Sequence, residues 1–270
     1  DRCFATSAAW HRRNRLRHAG RDTERRLAPS AAGAAMKNLL AKVPRAALTE
    51  REAKQVMALY GIPVVEDILT NDVAAANAAA EKLGFPVVLK GESPDVLHKT
   101  EAGLVKLGLR STMEVERAFG EIMRAIDALT PKPRFEGVVV QPMVPKGVEV
   151  MVGARHDPQF GPLVVVGLGG VFVEVLRDTA LALAPVGPSE AMDMLRSLKG
   201  AALLDGFRGA PAVDVPRLAE IVCRFSELAA DAAEAIAEME INPLICADDR
   251  ILAADALIVK AGANVVRAHG

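Results

Sequence analysis

The sequence predicts an α+β protein of two subdomains, and three observations predict it. Stretches of helical periodicity are mixed with short apolar strands through the first half. Pro131-Lys132-Pro133 breaks the chain, and strands then follow in quick succession. Hairpin-length connections stand beside crossover-length ones, which calls for mixed layers of helix and sheet. The 270 residues suffice for one large core or two smaller ones. With 51% hydrophobic but only 4% aromatic residues, those cores must be built from Ala, Val, Leu and Ile.

The first elements are well signposted. Thr49-x-x-Glu52 is a capping box, followed by Ala53, Val56, Met57 and Tyr60 along one helical stripe. Lys54 is expected on the exposed side of that helix. Gly61 stops the helix and Pro63 opens an extended segment over 64–69. A helix over 71–83 ends at Gly84, and a buried strand over 85–90 ends in the charge of Lys90. A polar loop over 91–103 leads to a strand over 104–109. Ser111-x-x-Glu114 caps a helix with Val115, Ala118, Phe119, Ile122 and Ile126 on one face.

Beyond the proline break, strands are expected over 137–143, 148–154 and 163–166, and helices over 188–198 and 216–230. Near the C-terminus, Glu240-Ile241-Asn242-Pro243-Leu244 reads as a strand, Asp248-Asp249-Arg250 as a turn, and 251–255 as the returning arm. The subdomains are expected at 48–133 and 134–262, with 1–35 an unstructured extension. That extension carries eight Arg and no Lys, a composition shared with organelle transit peptides; the plainer reading takes Met36 as the start.

Composition also narrows function. The 33 basic and 34 acidic residues nearly balance, which gives no support for a nucleic-acid partner. Cys3, Cys223 and Cys246 fit neither a disulfide framework nor a zinc site, so a cytoplasmic location is expected. No apolar run reaches the length of a membrane span.

Several residue groups carry possible chemistry. Lys90, closing a buried strand, suits a phosphate held by a point charge, although a solvated strand end is the ordinary alternative. His98 lies in the glycine-flanked loop, where it suits acceptance of a phosphoryl group as well as an idle surface position. Gln141 to Met143 form an extended segment whose backbone suits an adenine edge, with Met143 on the ring. Glu149 suits ribose hydroxyls. Strand alternation puts Glu240 and Asn242 on one face, and the hairpin returns Asp255 beside them. Two carboxylates and an amide oxygen suit Mg²⁺, although a solvated hairpin would look the same. Two nucleotide motifs are excluded. Lys99-Thr100 lacks the Walker glycines, and Gly167-Leu168-Gly169-Gly170 has Phe172 where a dinucleotide fingerprint needs glycine.

These strings, in this order, resemble the ATP-grasp superfamily, most closely the nucleotide-binding (beta) subunit of ADP-forming acetate–CoA ligases. The resemblance spans about 48–259 and rests on five strings in register. They are Phe85 to Lys90, Ser93-Pro94-Asp95-x-x-His98-Lys99-Thr100, Asp157-Pro158-Gln159-Phe160-Gly161-Pro162, Gly167 to Gly170, and Glu240 to Leu244 with Asp255-Ala256. It implies two α+β subdomains gripping ATP or ADP with Mg²⁺. Lys90 would bind phosphates, Gln141 and Met143 the adenine, Glu149 the ribose, and Glu240, Asn242 and Asp255 the metal. Arg208, in Gly206-Phe207-Arg208-Gly209, would add a cation.

The implied reaction converts acyl-CoA, ADP and phosphate to acid, CoA and ATP. It passes through a phosphohistidine on a CoA-binding alpha subunit, so a hetero-oligomer is expected and this chain would be incomplete alone. An ATP-grasp carboxylate–amine ligase and a non-catalytic nucleotide-binding regulatory module are the alternatives. The chain departs from the family at Leu104, where a second glycine is common, and at Ala182, where an arginine is.

Overall fold

Two antiparallel sheets, each with helices on one face, make up the computed structural model, which describes residues 30–96, 99–169, 178–206, 211–247 and 249–262. The smaller sheet has the order β1-β4-β2-β3, built from β1 (Ile68–Thr70), β2 (Val87–Glu92), β3 (Val105–Leu109) and β4 (Gly137–Pro142). Helices α3 (Val73–Leu83) and α4 (Thr112–Ala128) cover one of its faces. Asp72 and Ser111 cap them by accepting from the Ala75 and Glu114 amides. Ala76, Ala80, Phe119 and Ile122 meet Val87, Leu89, Val138 and Val140 in the core between helices and sheet. Because strand side chains alternate, Val88, Lys90, Val139 and Gln141 point to the helix-free face.

The larger sheet follows the order β10-β8-β5-β6-β7, with β9 paired to the other half of β8. Its strands are β5 (Val148–Asp157), β6 (Gly161–Leu168), β7 (Thr179–Leu183), β8 (Ile236–Ala247), β9 (Arg250–Ala253) and β10 (Ala256–Lys260). Among the described residues, helices α1 (Ala31–Lys42), α2 (Glu50–Leu59), α5 (Pro188–Arg196) and α6 (Val215–Asp231) pack on one side of it. Val150, Val152, Val164 and Val166 face Leu195, Leu218, Val222 and Phe225 there. Glu149, Met151 and Gly153 fall on the opposite face by alternation.

Two features differ from the sequence expectation. Among the described residues a helix begins at Ala31, inside the segment assigned to an extension, with Met36 buried in the middle of that helix. Ser30 caps it, and its hydroxyl also donates to Asp231 Oδ2. The sheets, moreover, do not divide at 133/134. Strand β4 lies between β1 and β2 in the small sheet, and α2 packs in the large core against β10. A proline-rich break marks a change of direction; pairing partners decide which sheet a strand joins. The residues before 30 and after 262 lie outside the described segments.

Candidate functional site

The chemistry-bearing side chains converge where the small sheet meets the β8–β10 side of the large one. Lys90 reaches across that junction. Its ammonium donates to Glu50 Oε1 at 2.7 Å and to the Ala254 carbonyl at 2.9 Å, and it lies 3.7 Å from Asp255 Oδ2. Lys90 is 7% exposed, so the solvated strand end is not what the fold makes of it.

Glu50 is the hub. The Thr49–Glu52 capping box starts α2, and Glu50 turns inward in its first turn. Its carboxylate receives Lys90, Lys54 at 3.0 Å and the Gln141 amide at 2.9 Å on Oε1, and Lys99 at 2.9 Å on Oε2. Burial alone would raise its pKa, but Lys90, Lys54 and Lys99 outweigh burial and hold it well below the usual carboxylate range. Lys54 also bonds Asp67 Oδ1 at 3.1 Å, and Lys99 bonds Glu92 Oε2 at 3.0 Å. Burial pushes the Asp67 carboxyl up, with Lys54 opposing it only in part.

Lys54 corrects the sequence reading. It is 2% exposed, not a surface position. Glu50 and Lys54 lie four apart on the flank of the Ala53–Val56–Met57 stripe, the spacing of an ordinary solvated helix pair. The sequence therefore gave no sign that α2 would insert this pair beneath β2. Glu50, Glu92 and Asp67 were missed for the same reason.

The hairpin has a geometry of its own. In β8 the buried residues Met239 and Ile241 are followed by Leu244 and Cys246, so the alternation changes phase at Asn242-Pro243. The pairing with β5 shifts at the same place. The returning arm is split in two: β9 pairs with Leu244 to Ala247, and β10 with Ile236 to Ile241. Asp255 stands at that split, where its carbonyl accepts from the Asn242 amide at 3.3 Å. Glu240 and Asn242 share the helix-free face, Glu240 opposite Gly153 in β5. The Asp255 side chain is 43% exposed, and desolvation plus the Glu50 charge raise its pKa to about 6.

No group of three His, Cys, Asp or Glu side chains forms a ready metal site among the described residues. Two carboxylates and one amide fit instead a hard cation that keeps several waters and shares substrate oxygens. A carboxylate with a raised pKa and an open side is also one that an added cation would stabilise.

The Gln141 side chain is buried in the cluster, turned to Glu50. Met143 is half-buried, and its amide donates to the Pro86 carbonyl at 2.9 Å. Glu149 is exposed, and its carbonyl accepts from the Gly169 amide; a Cβ at Gly169 would come within 2.8 Å of the Glu149 Cβ, so glycine is required for that approach. Leu107 is 64% exposed on the face of β3 shared with Lys90, an apolar platform that sequence periodicity did not single out. Leu104 and Ala182 are both buried, Leu104 within the small core. His98 and Arg208 lie outside the described residues.

The family model described as an ATP-grasp domain matches residues 39–259. The chain is 39% identical over 219 residues to the beta subunit of acetate–CoA ligase [ADP-forming] I of Pyrococcus furiosus, covering 81% of this chain and 94% of that subunit. It is 42% identical over 193 residues to the acetate–CoA ligase [ADP-forming] I of Archaeoglobus fulgidus, covering 72% of this chain but only 28% of that longer one. Its fold matches the dinucleotide-forming acetyl-coenzyme A synthetase 1 of Ca. Korarchaeum cryptofilum bound to coenzyme A and Ca-AMPCP. The TM-score is 0.80 at 40% identity, over 83% of this chain and 99% of the matched one. Another structure of that enzyme, TM-score 0.72 at 39% identity with the same coverage, holds Mg-AMPPCP with its phosphohistidine segment pointing towards the nucleotide binding site. The chain thus belongs to the ATP-grasp domain family, among the beta, nucleotide-binding subunits of ADP-forming acyl-CoA synthetases.

Proposed function

We propose that this chain transfers a phosphoryl group between a Mg²⁺-bound nucleotide and a phosphohistidine on a CoA-binding alpha subunit. The full reaction would take acyl-CoA, ADP and phosphate to acid, CoA and ATP in a cytoplasmic hetero-oligomer. The observation that carries this reading is the Lys90 ammonium, anchored by Glu50 and Ala254 beside Asp255 at the junction of the sheets. An ammonium has three N–H donors, and two are used here, which leaves one for a phosphate oxygen.

Phosphoryl transfer depends mainly on positioning and charge neutralisation. In this reading Lys90 holds the phosphates, Met143 and Leu107 flank the base, and Glu149 accepts from the ribose. Glu240, Asn242 and Asp255 would hold Mg²⁺, which supplies charge neutralisation at the phosphate oxygens. Arg208 and His98 keep the roles expected from sequence: a further cation, and a relay or stabiliser for the phosphoryl group on its way between the phosphohistidine and ADP. The phosphohistidine segment of the Korarchaeum enzyme supports a donor that comes from another part of the assembly. The Archaeoglobus chain, of which this one spans 28%, has room for such a part.

The test is co-expression with a CoA-binding companion, followed by an assay for ATP formed from acyl-CoA, ADP and phosphate. ATP formation that needs both chains is expected. Tight nucleotide binding without turnover in the complex would instead identify a regulatory module.

A further inference from the structure

We propose that Glu50 is the positioning residue for Lys90, the lysine assigned to the phosphates, and for Lys99 beside it, fixing both ammonium groups against one buried carboxylate and so presenting two cations to the phosphates. The inference rests on the nucleotide reading of the site. It adds a residue from α2, an element that supplies none of the groups expected to touch nucleotide.

The geometry is specific. Glu50 Oε1 takes Lys90 at 2.7 Å and Gln141 at 2.9 Å, while Oε2 takes Lys99 at 2.9 Å. Lys90 belongs to β2 and Gln141 to β4, so one carboxylate from the large core ties two strands of the small sheet. Lys99 closes the same arrangement from the loop after β2, with Glu92 as its second acceptor at 3.0 Å. Each lysine therefore has two fixed acceptors and one N–H left to direct. A flexible four-carbon stem would otherwise let the charge wander over several ångströms.

Stability does not account for such a cluster. Several buried charges carry a desolvation cost, and a packed apolar replacement of a buried ion pair is often as stable or more so. What an apolar replacement cannot supply is a pair of fixed cations at a phosphate site. Lys54, held between Glu50 and Asp67, keeps the Glu50 carboxylate from turning.

The experiment compares wild type, Glu50→Gln and Glu50→Asp, each assembled with the companion subunit. For Glu50→Gln, kcat for ATP formation is expected to fall about 10²-fold, as for a misplacement near 1 Å. The KM for ADP should change by less than about threefold, because the cations remain. Glu50→Asp, charged but shorter, should fall between the two; it decides the matter alone if the Gln variant does not fold.

A second measurement, amine acylation read by mass spectrometry on the chain itself, follows Lys90 and Lys99 against the 72% exposed Lys132. Both should be protected in wild type and label faster in the folded variants. Unchanged kcat in folded variants, or unchanged labelling, overturns the inference. A wild-type complex that makes no ATP defeats the proposed function instead, and the labelling then still decides what Glu50 does.

Discussion

Lys90 Nζ lies 2.7 Å from Glu50 Oε1, and the pair joins a strand of the small sheet to a helix of the large core. Burial works against the Lys90 charge, yet Asp255 and Glu50 together hold its pKa above the ordinary lysine value. The ammonium is therefore charged at neutral pH. Lys90→Met should lower phosphoryl turnover by ~10²–10³-fold, the range for losing one preorganised charge-stabilising donor. Lys90→Arg should not restore it, because a planar fork does not fit where a compact ammonium has two acceptors. Calorimetric titration with Mg-ADP and a turnover assay with the companion separate binding from chemistry. Full turnover in Lys90→Met would remove Lys90 from the mechanism.

Lys54 offers a stability test of the same cluster. Its side chain is 2% exposed, with the ammonium between Glu50 at 3.0 Å and Asp67 at 3.1 Å. Lys54→Met leaves Asp67 buried without its cation and should cost roughly 3–5 kcal/mol in urea unfolding, as for one broken half of a buried pair. Lys54→Met with Asp67→Leu removes both charges and should recover most of that loss. A double variant as unstable as the single one would show that packing, rather than the unpaired carboxylate, sets the cost.

The same residues show how far sequence reaches. The capping box at Thr49 and the stripe from Ala53 to Met57 locate α2 correctly, since both are local signals. Lys90 after an apolar run was legible for the same reason, although β2 continues past it to Glu92, and so was Asn242 beside Asp255 in a hairpin. Their burial partners were not. Glu50 and Lys54 look like a solvated i,i+4 pair until the fold brings β2 and the 64–67 segment over them. The boundary between the sheets was hidden similarly: β4 follows a proline break but pairs back to β1 and β2. Local patterns fix elements, whereas buried charge networks and strand order depend on residues far apart in the chain.

Glu50 also gives the cluster a pH signature. Its folded pKa is lowered, so it contributes stability above the unfolded value of about 4.3 and loses that contribution as pH falls through the folded value. Asp67 has the opposite sign. Its raised pKa counts against the fold at neutral pH and is relieved on acidification. The difference in melting temperature between wild type and Glu50→Gln should therefore shrink as pH falls from about 5 to below about 4. Thermal melts across that range check it; a difference that widens on acidification would give Glu50 the wrong sign.

The hairpin should respond to Mg²⁺ through Asn242 and Asp255 together. Asn242 donates its amide to the Asp255 carbonyl at the point where β8 changes phase, so the backbone holds the two residues side by side. Losing one charge-assisted contact costs about 1.5–3 kcal/mol, so Asp255→Asn should raise the Mg²⁺ concentration for half-maximal turnover about 10–100-fold. Asn242→Ala removes a neutral oxygen and should cost less, about 0.5–1.5 kcal/mol, or up to roughly tenfold. Both variants should melt close to wild type, because Asn242 is exposed and Asp255 only half-buried. Chelation with EDTA should abolish turnover in all three proteins and added Mg²⁺ restore it. If both variants keep the wild-type Mg²⁺ dependence, the hairpin is a solvated turn and the cation is held elsewhere.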